Sequence, residues 1–270
     1  HVNEEVLEWM RRAGCIQISY GIESGNEAIS RFLNKRISVE QIKRAFAATL
    51  SYGILARAYF IYGSPGESDE TIQDTIDLMQ AIKPLSAVFY ILDIFPGTGL
   101  YEAYRKTAGV SDDIWLRRIE DIMYFETDSR LGEKDIRAFG KRLRDAFHKL
   151  LPDSVAAITL KEKASLTAFH SDFCSRLGMT FDHGDYSDVA LIADRQGIAE
   201  KLYNKSLQYH PDARSFLGLG IIRQKRRDYY GSIEILEAGV ALFPDDELLH
   251  LCLSLSYMNN GDFSRALVRL

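Results

Sequence analysis

The sequence is short of cysteine and of long apolar runs. Its three cysteines, Cys15, Cys174 and Cys252, are 159 and 78 residues apart, which excludes a dense disulfide framework and a local cysteine metal site. No apolar run approaches the roughly 20 residues that span a membrane, and the first residues lack the basic start and apolar core of a secretory signal. A net charge of −5 gives no reason to expect nucleic acid. We therefore expect a cytoplasmic protein that binds neither membranes nor nucleic acids.

Strand and helix patterns alternate in the first part of the chain. Strands are predicted at 15–20, 55–62 and 87–94, and the third is so continuously apolar that we expect it to be buried on both faces. Asn3, Asn26 and a Ser38–Gln41 capping box predict the starts of helices. The pattern predicts an array of about three βα units in residues 1–150, which either a partial (β/α) TIM-type barrel or an open doubly wound sheet would contain.

Each predicted strand leads into a loop that contains glycine, and both topologies place ligands at such strand ends. The loops are GIESG at 21–25, GSPGE at 63–67 and DIFPGTG at 93–99. Glu23 and Ser24 can hydrogen-bond hydroxyls or an amine, and backbone N–H groups of 63–67 can hold polar ligand atoms. A plain turn from strand to helix, with Glu67 near the helix N-terminus, is the alternative for the second loop.

The middle of the chain is predicted to be helical, with an amphipathic helix that ends before Pro152. Residues 151–187 form a predicted connecting region of helix and loop. Six residues of metal-ligand type fall there: His170, Asp172, Cys174, Asp182, His183 and Asp185. Their spacing matches no ligand pattern, so we interpret them as scattered polar residues and assign no metal ligand in this chain.

The last part of the chain repeats itself. Residues 216–244 and 250–266 align at a spacing of 34, which pairs Leu219 with Leu253 and Tyr229 with Phe263. A period of 34 is that of tetratricopeptide helix pairs. Residues 188–270 are therefore predicted to be an all-α, tetratricopeptide-like region, truncated at its end, whose concave surface binds a protein or peptide partner.

Three segments follow one another in this order: RRAGCIQISYGIESGNEAI, SYGILARAYFIYGSPGESDETIQDTIDL and LDIFPGTGLYEAY. Together they resemble the later half of a radical S-adenosylmethionine (radical SAM) core, in the branch often found beside a cobalamin-binding domain. The resemblance covers residues 1–150 and implies that S-adenosylmethionine binds across the strand ends. The positions that it implies are Glu23 and Ser24 at the ribose or methionine, Ile61 and Gly63 at the adenine, Pro65, Gly66 and Glu67 in the same turn, and Asp93 and Phe95 at adenine or substrate.

The family's CxxxCxxC loop is absent from the chain. The resemblance implies a 4Fe-4S cluster whose ligands precede His1, and a complete enzyme that reductively cleaves S-adenosylmethionine for radical chemistry or methylates through cobalamin. No residue of this chain is assigned a catalytic role. A cluster-free βα scaffold that acts as an interaction protein is the alternative. A cofactor-independent βα-barrel lyase would need a lysine or metal ligand at the strand ends, and the loops offer no convincing one.

Overall fold

The computed structural model describes residues 2–116, 120–127 and 130–269, a mixed α/β chain with a three-stranded sheet and many helices. Its helices and strands are α1 Glu4–Arg12, β1 Gln17–Glu23, α2 Glu27–Phe32, α3 Val39–Ser51, β2 Leu55–Tyr62, α4 Asp69–Ile82, β3 Ser86–Ile91, α5 Gly99–Ala108, α6 Glu133–Ala156, α7 Thr167–Asp182, α8 Arg195–Tyr209, α9 Ala213–Lys225, α10 Tyr229–Leu242, α11 Glu247–Asn259 and α12 Phe263–Arg269.

The chain divides into two compact units, and neither is one continuous stretch of sequence. The first, the helical unit, consists of residues 1–17, 48–55 and 155–270. The second, the sheet unit, consists of residues 18–47 and 56–154. The boundaries that the sequence predicts, at 150 and 187, stay predictions.

Local side-chain chemistry starts several helices where the sequence predicts them. The side chain of Asn3 accepts a hydrogen bond from the amide of Val6 at the start of α1, and Asn26 does the same for α2. Ser38 and Gln41 bond each other's backbone amides before α3, as a capping box does. These three predictions are confirmed.

The sheet has the order β1-β2-β3, so consecutive strands are neighbours. Strands β2 and β3 run parallel, with Ala58 opposite Ala87 and Phe60 opposite Phe89. The amide of Leu55 at the start of β2 donates to the carbonyl of Ile16 just before β1, so these two strands start at the same edge. All three strands therefore end at one edge of the sheet, as βα units require.

One face of the sheet is buried and the other is open. Ala58, Phe60 and Tyr62 are buried, whereas the alternating residues of β2 are half-buried. Helix α6 covers the buried face: Phe147 packs on Phe89, and Gly140 lies so close to Tyr62 that a Cβ would overlap its hydroxyl.

The prediction that the third strand is buried on both faces is wrong. Tyr90 of β3 is 55% exposed, and its ring lies tilted beside that of Tyr59 of β2, on the open face. An apolar run shows that a strand can be buried, but what covers each face depends on elements far away in the sequence. We call the face with Tyr59, Ile61 and Tyr90 the open face.

Several boundaries differ from the predicted ones: β1 begins at residue 17 and not at 15, and β3 ends at residue 91 and not at 94. Strand β1 continues through Gly21 to Glu23, because extended backbone does not stop at a glycine when a neighbouring strand pairs with it. Helix α6 continues through Pro152 to Ala156. Leu151 and Ser154 are buried in that last turn, and this packing offsets the single backbone hydrogen bond that proline removes.

The helical unit joins α1 to residues more than 150 positions later. Lys161 and Lys163 form ion pairs with Glu4 and Glu8 of α1. Helices α9 and α11 begin at residues 213 and 247, and α10 and α12 at 229 and 263, a spacing of 34 in both cases. Between 2 and 269, as far as the structure describes those residues, no helix is long and apolar enough to cross a membrane. The cytoplasmic location stays a prediction.

Candidate functional site

The candidate site lies at the edge of the sheet unit where the strands end. Glu23 is the last residue of β1 and has a left-handed φ of 69°. Its carboxylate forms an ion pair with Lys35, with 2.9 Å between Oε1 and Nζ. Sequence reasoning missed Lys35, which arrives from the segment between α2 and α3. The pair presents a charged group at the strand end and holds the Glu23 side chain in one place.

Ser24 is buried, and its hydroxyl serves the local fold. It accepts a hydrogen bond from the amide of Asn26 and lies 3.3 Å from the hydroxyl of Thr75 in α4. The amide of Gly25 donates to the same threonine, at 3.0 Å. Gly25 also lies so close to the backbone of α4 that a Cβ would overlap the carbonyl of Asp74. The loop after β1 is therefore fixed against α4.

Glu67 folds back on the turn that contains it. Its carboxylate accepts hydrogen bonds from the amides of both Gly63 and Ser64, at the end of β2. The side chain is buried, and burial raises the pKa of Glu67 to about 7, although the two amides act in the opposite direction. These two amides therefore bond the turn's own carboxylate and not a ligand. For them the structure agrees with the alternative of a plain turn from strand to helix.

The hydroxyl of Ser64 is a polar group of this turn that can still form hydrogen bonds. Ser64 has no solvent exposure, and its Oγ has no hydrogen-bond partner in the part of the chain that the structure describes. A buried hydroxyl without a partner costs about 1–3 kcal/mol. The sequence predicts roles for its neighbours Gly63 and Pro65, and no local pattern indicates one for Ser64.

The segment after β3 contributes one half-buried and one exposed group. Asp93 is half-buried and lies opposite Met123 in an isolated antiparallel bridge, next to a hydrogen bond between the backbones of Ile94 and Ile122. Phe95 is 57% exposed. The remaining positions differ in exposure: Ile61 and Pro65 are half-buried and Gly66 is exposed.

The structure thus brings the ends of three neighbouring strands to one edge of the sheet. This edge offers a carboxylate at Glu23 and an exposed ring at Phe95, with Ile61 and Tyr90 side by side on the open face. It also contains the unsatisfied hydroxyl of Ser64, which is buried. Such an arrangement can hydrogen-bond hydroxyl or amino groups and can contact a planar ring. Whether these residues bind S-adenosylmethionine stays a prediction.

An iron–sulfur cluster does not fit the residues that the structure describes. None of their His, Cys, Asp and Glu side chains form a group of three or more that could hold a metal ion. The three cysteines are free thiols, and burial raises the pKa of Cys174 to about 12, so this thiol is not a thiolate at neutral pH. Of the six scattered residues, His170 hydrogen-bonds the carbonyl of Lys161 and Asp172 binds arginines.

Comparison with known proteins identifies the segment that contains β1, β2 and the turn between β2 and α4. Residues 1–79 match the model of the radical SAM superfamily. The chain is 34% identical over 100 residues to an uncharacterized methyltransferase of Pyrococcus horikoshii and 31% identical over 144 residues to a bacteriochlorophyllide d C-12(1)-methyltransferase of Chlorobaculum tepidum. It is 30% identical over 110 residues to an anaerobic magnesium-protoporphyrin IX monomethyl ester cyclase of Rubrivivax gelatinosus.

These matches cover 37%, 53% and 41% of the chain and only 22%, 31% and 20% of the three relatives. The chain thus spans less than a third of the length of these relatives. The matched region includes the strand ends of β1 and β2, where Glu23 and Ser64 lie. Residues 1–79 are therefore similar to the radical SAM superfamily, and these three relatives are named as two methyltransferases and a cyclase.

Proposed function

We propose that this chain is part of a radical SAM enzyme and that the strand-end edge of its sheet unit binds S-adenosylmethionine. The match of residues 1–79 to the superfamily carries the proposal, because the matched segment includes two of the three strand ends. The chain's own residues would bind and orient the molecule. In the complete protein, a cluster held outside this chain would supply the electron that cleaves S-adenosylmethionine.

The roles of the residues follow from their contacts. Glu23, held by Lys35, would accept hydrogen bonds from ribose hydroxyls or the methionine amine, and the hydroxyl of Ser64 would gain the partner that it lacks. Ile61, Pro65 and Phe95 offer apolar surface for the adenine. Gly63, Gly66 and Glu67 would shape the turn, and Asp93 would face adenine or substrate, as the resemblance implies.

The barrel and the repeats are part of the same proposal. The three βα units would form part of a TIM-type barrel, which consists of parallel strands each followed by a helix. The spacing of 34 residues between helix starts supports a tetratricopeptide-like region, whose concave face would bind a protein or peptide. Methyl transfer is one form of the reaction, which the methyltransferase names among the relatives support, and the help of cobalamin in it is what the resemblance implies.

Binding of S-adenosylmethionine to the complete protein, with its cluster reconstituted, tests the proposal. We expect Ser64→Ala to weaken binding about tenfold, the loss of one hydrogen bond to a buried hydroxyl. Ser154→Ala is a matched control, because Ser154 is also buried with an unpartnered hydroxyl but lies in α6. Equal effects of the two substitutions, or no cleavage of S-adenosylmethionine under reducing conditions, would refute the proposal.

A second candidate is the cluster-free scaffold, which the lack of a metal-binding group among the described residues favours. In that case the βα units would only support the repeats, and the protein would bind its partner without catalysis. The coding sequence before His1 distinguishes the two. A CxxxCxxC motif there supports the enzyme, and an in-frame start without the motif supports the scaffold.

A further inference from the structure

The helical unit contains a cavity that shares no residue with the strand-end site. It has a volume of about 360 Å³, which is within the range of small-molecule sites. Most of its wall is apolar, and the side chains that form this part are Ile16, Leu55, Phe173, Leu177 and Met179. A cavity with such a wall favours a ligand with an apolar body.

A buried arginine with an unused donor lines this cavity. Arg11 of α1 is only 2% exposed. Its Nη1 donates to the carbonyl of Cys15, and its Nη2 donates to the carbonyl of Phe169 and to the carboxylate of Asp172, at 2.8 Å. Its Nε–H has no acceptor among residues 2–116, 120–127 and 130–269. An acceptor atom on a ligand would remove the cost of that unpaired donor.

A second arginine on the cavity wall is accessible from solvent. Arg176 of α7 is half-exposed and uses only its Nε, which donates to Asp172 at 2.8 Å. Its two Nη groups have no partner in the described ranges and can form the paired contact that guanidinium groups make with carboxylates. The wall also contains two carboxylates, that of Asp172 and that of the exposed Asp185.

The carboxylate of Asp172 does not make this a site for cations. Three guanidinium groups surround it, because Arg214 also donates to it, at 2.7 Å. Asp212 contacts Arg214 from the other side, at 3.5 Å, so two carboxylates face three guanidinium groups. With the exposed Asp185 counted, three guanidinium groups meet three carboxylates, so the charges balance. The unpaired donors of Arg11 and Arg176 remain, and they suit one carboxylate, whereas a phosphate dianion would need more donors than this largely apolar wall provides.

We propose that the cavity binds a small molecule that has an apolar body and one carboxylate group. The carboxylate accepts from Arg11 Nε and from the Nη groups of Arg176, and the apolar body packs against Phe173, Leu177 and Met179. This binding is independent of the strand-end site, so it does not rest on the proposed function.

Titration calorimetry of the whole chain with octanoate and with 3-phenylpropionate tests this proposal. We expect saturable binding of one molecule per chain, and weaker binding of 1-octanol, which lacks the carboxylate. Arg176→Met should weaken carboxylate binding about tenfold, since a hydrogen bond to a charged group is lost. The matched control is Arg137→Met, because Arg137 is an exposed arginine of α6 outside the cavity and its loss should leave binding unchanged.

A second variant tests the apolar part of the proposal without touching the charges. Met179→Trp places a larger side chain at a half-buried position of the wall and should abolish binding while the circular dichroism spectrum stays native. No saturable binding of either carboxylate overturns the proposal. Equal binding of 1-octanol also overturns it, because the carboxylate would then not be recognised. An equal loss of binding in Arg137→Met overturns it as well, because the loss in Arg176→Met would then not be specific to the cavity.

Discussion

Replacement of Glu67 by glutamine should make the stability of the protein less dependent on pH. Glu67 is 7% exposed, and its pKa is raised from 4.5 to about 7 because burial disfavours the charged carboxylate. A shift of this size corresponds to about 3 kcal/mol between the two protonation states. The stabilising contribution of Glu67 is therefore complete below pH 4.5 and is lost as the pH rises through 7.

Glutamine resembles the protonated carboxyl group and does not titrate, so it keeps an acceptor for the amides of Gly63 and Ser64 at every pH. We expect the free energy of unfolding of the Glu67→Gln protein, relative to wild type, to increase by about 3 kcal/mol between pH 4 and pH 8.5. Other titrating groups are the same in both proteins and cancel in the difference.

Urea unfolding at a series of pH values measures this difference, and the amide signal of Ser64 in NMR spectra reports the titration directly. Glu70→Gln is the control, because Glu70 is exposed and its pKa is lowered, chiefly by the Ser68 hydroxyl. The reasoning is refuted if the difference between Glu67→Gln and wild type does not change with pH. It is also refuted if the variant becomes relatively less stable as the pH rises, since the two amide hydrogen bonds would then outweigh burial.

Two other substitutions test packing and charge. Gly140→Ala should destabilise the sheet unit by about 2 kcal/mol, because the new Cβ overlaps the buried tyrosine at the end of β2. Gly132→Ala has room and should be nearly neutral in the same urea titration. Asp172→Ala leaves Arg11 buried without its carboxylate and should cost about 3–5 kcal/mol, whereas Glu27→Ala, in an exposed pair, should cost less than about 1 kcal/mol by thermal unfolding.

Local sequence chemistry was sufficient to place many of the helices. Asn3, Asn26 and the Ser38–Gln41 box act through atoms within three residues of each other, so their geometry can be inferred without the fold. The sequence predicts the strand at 55–62 correctly, because its aromatic and aliphatic residues lie between two glycines.

The sequence was least informative where distant residues decide the structure. The burial of β3 depends on which elements cover the sheet, and α6 continues past Pro152 because its last turn is packed. The link between Arg11 and Asp172 joins residues 161 positions apart, and no local pattern indicates it.

In the candidate site, too, the sequence predicts some features and only the structure shows others. Glycine and proline predict the turn after β2, but two features of this turn depend on the folded structure. Glu67 satisfies the turn's own amides, and Ser64 is the group that is left without a partner. A glutamate three to four residues after a strand-ending glycine is a signal that could have indicated the first of these contacts.

The interleaved order of the two units has a consequence for synthesis on the ribosome. Helix α1 is made before the sheet unit, yet its ion-pair and hydrogen-bond partners Lys161, Lys163 and Asp172 emerge more than 150 residues later. The sheet unit, which is complete at residue 154, can fold while α1 still waits for these partners. We therefore expect the exposed apolar side of α1 to be a binding site for chaperones during translation, until the residues of α7 have left the ribosome.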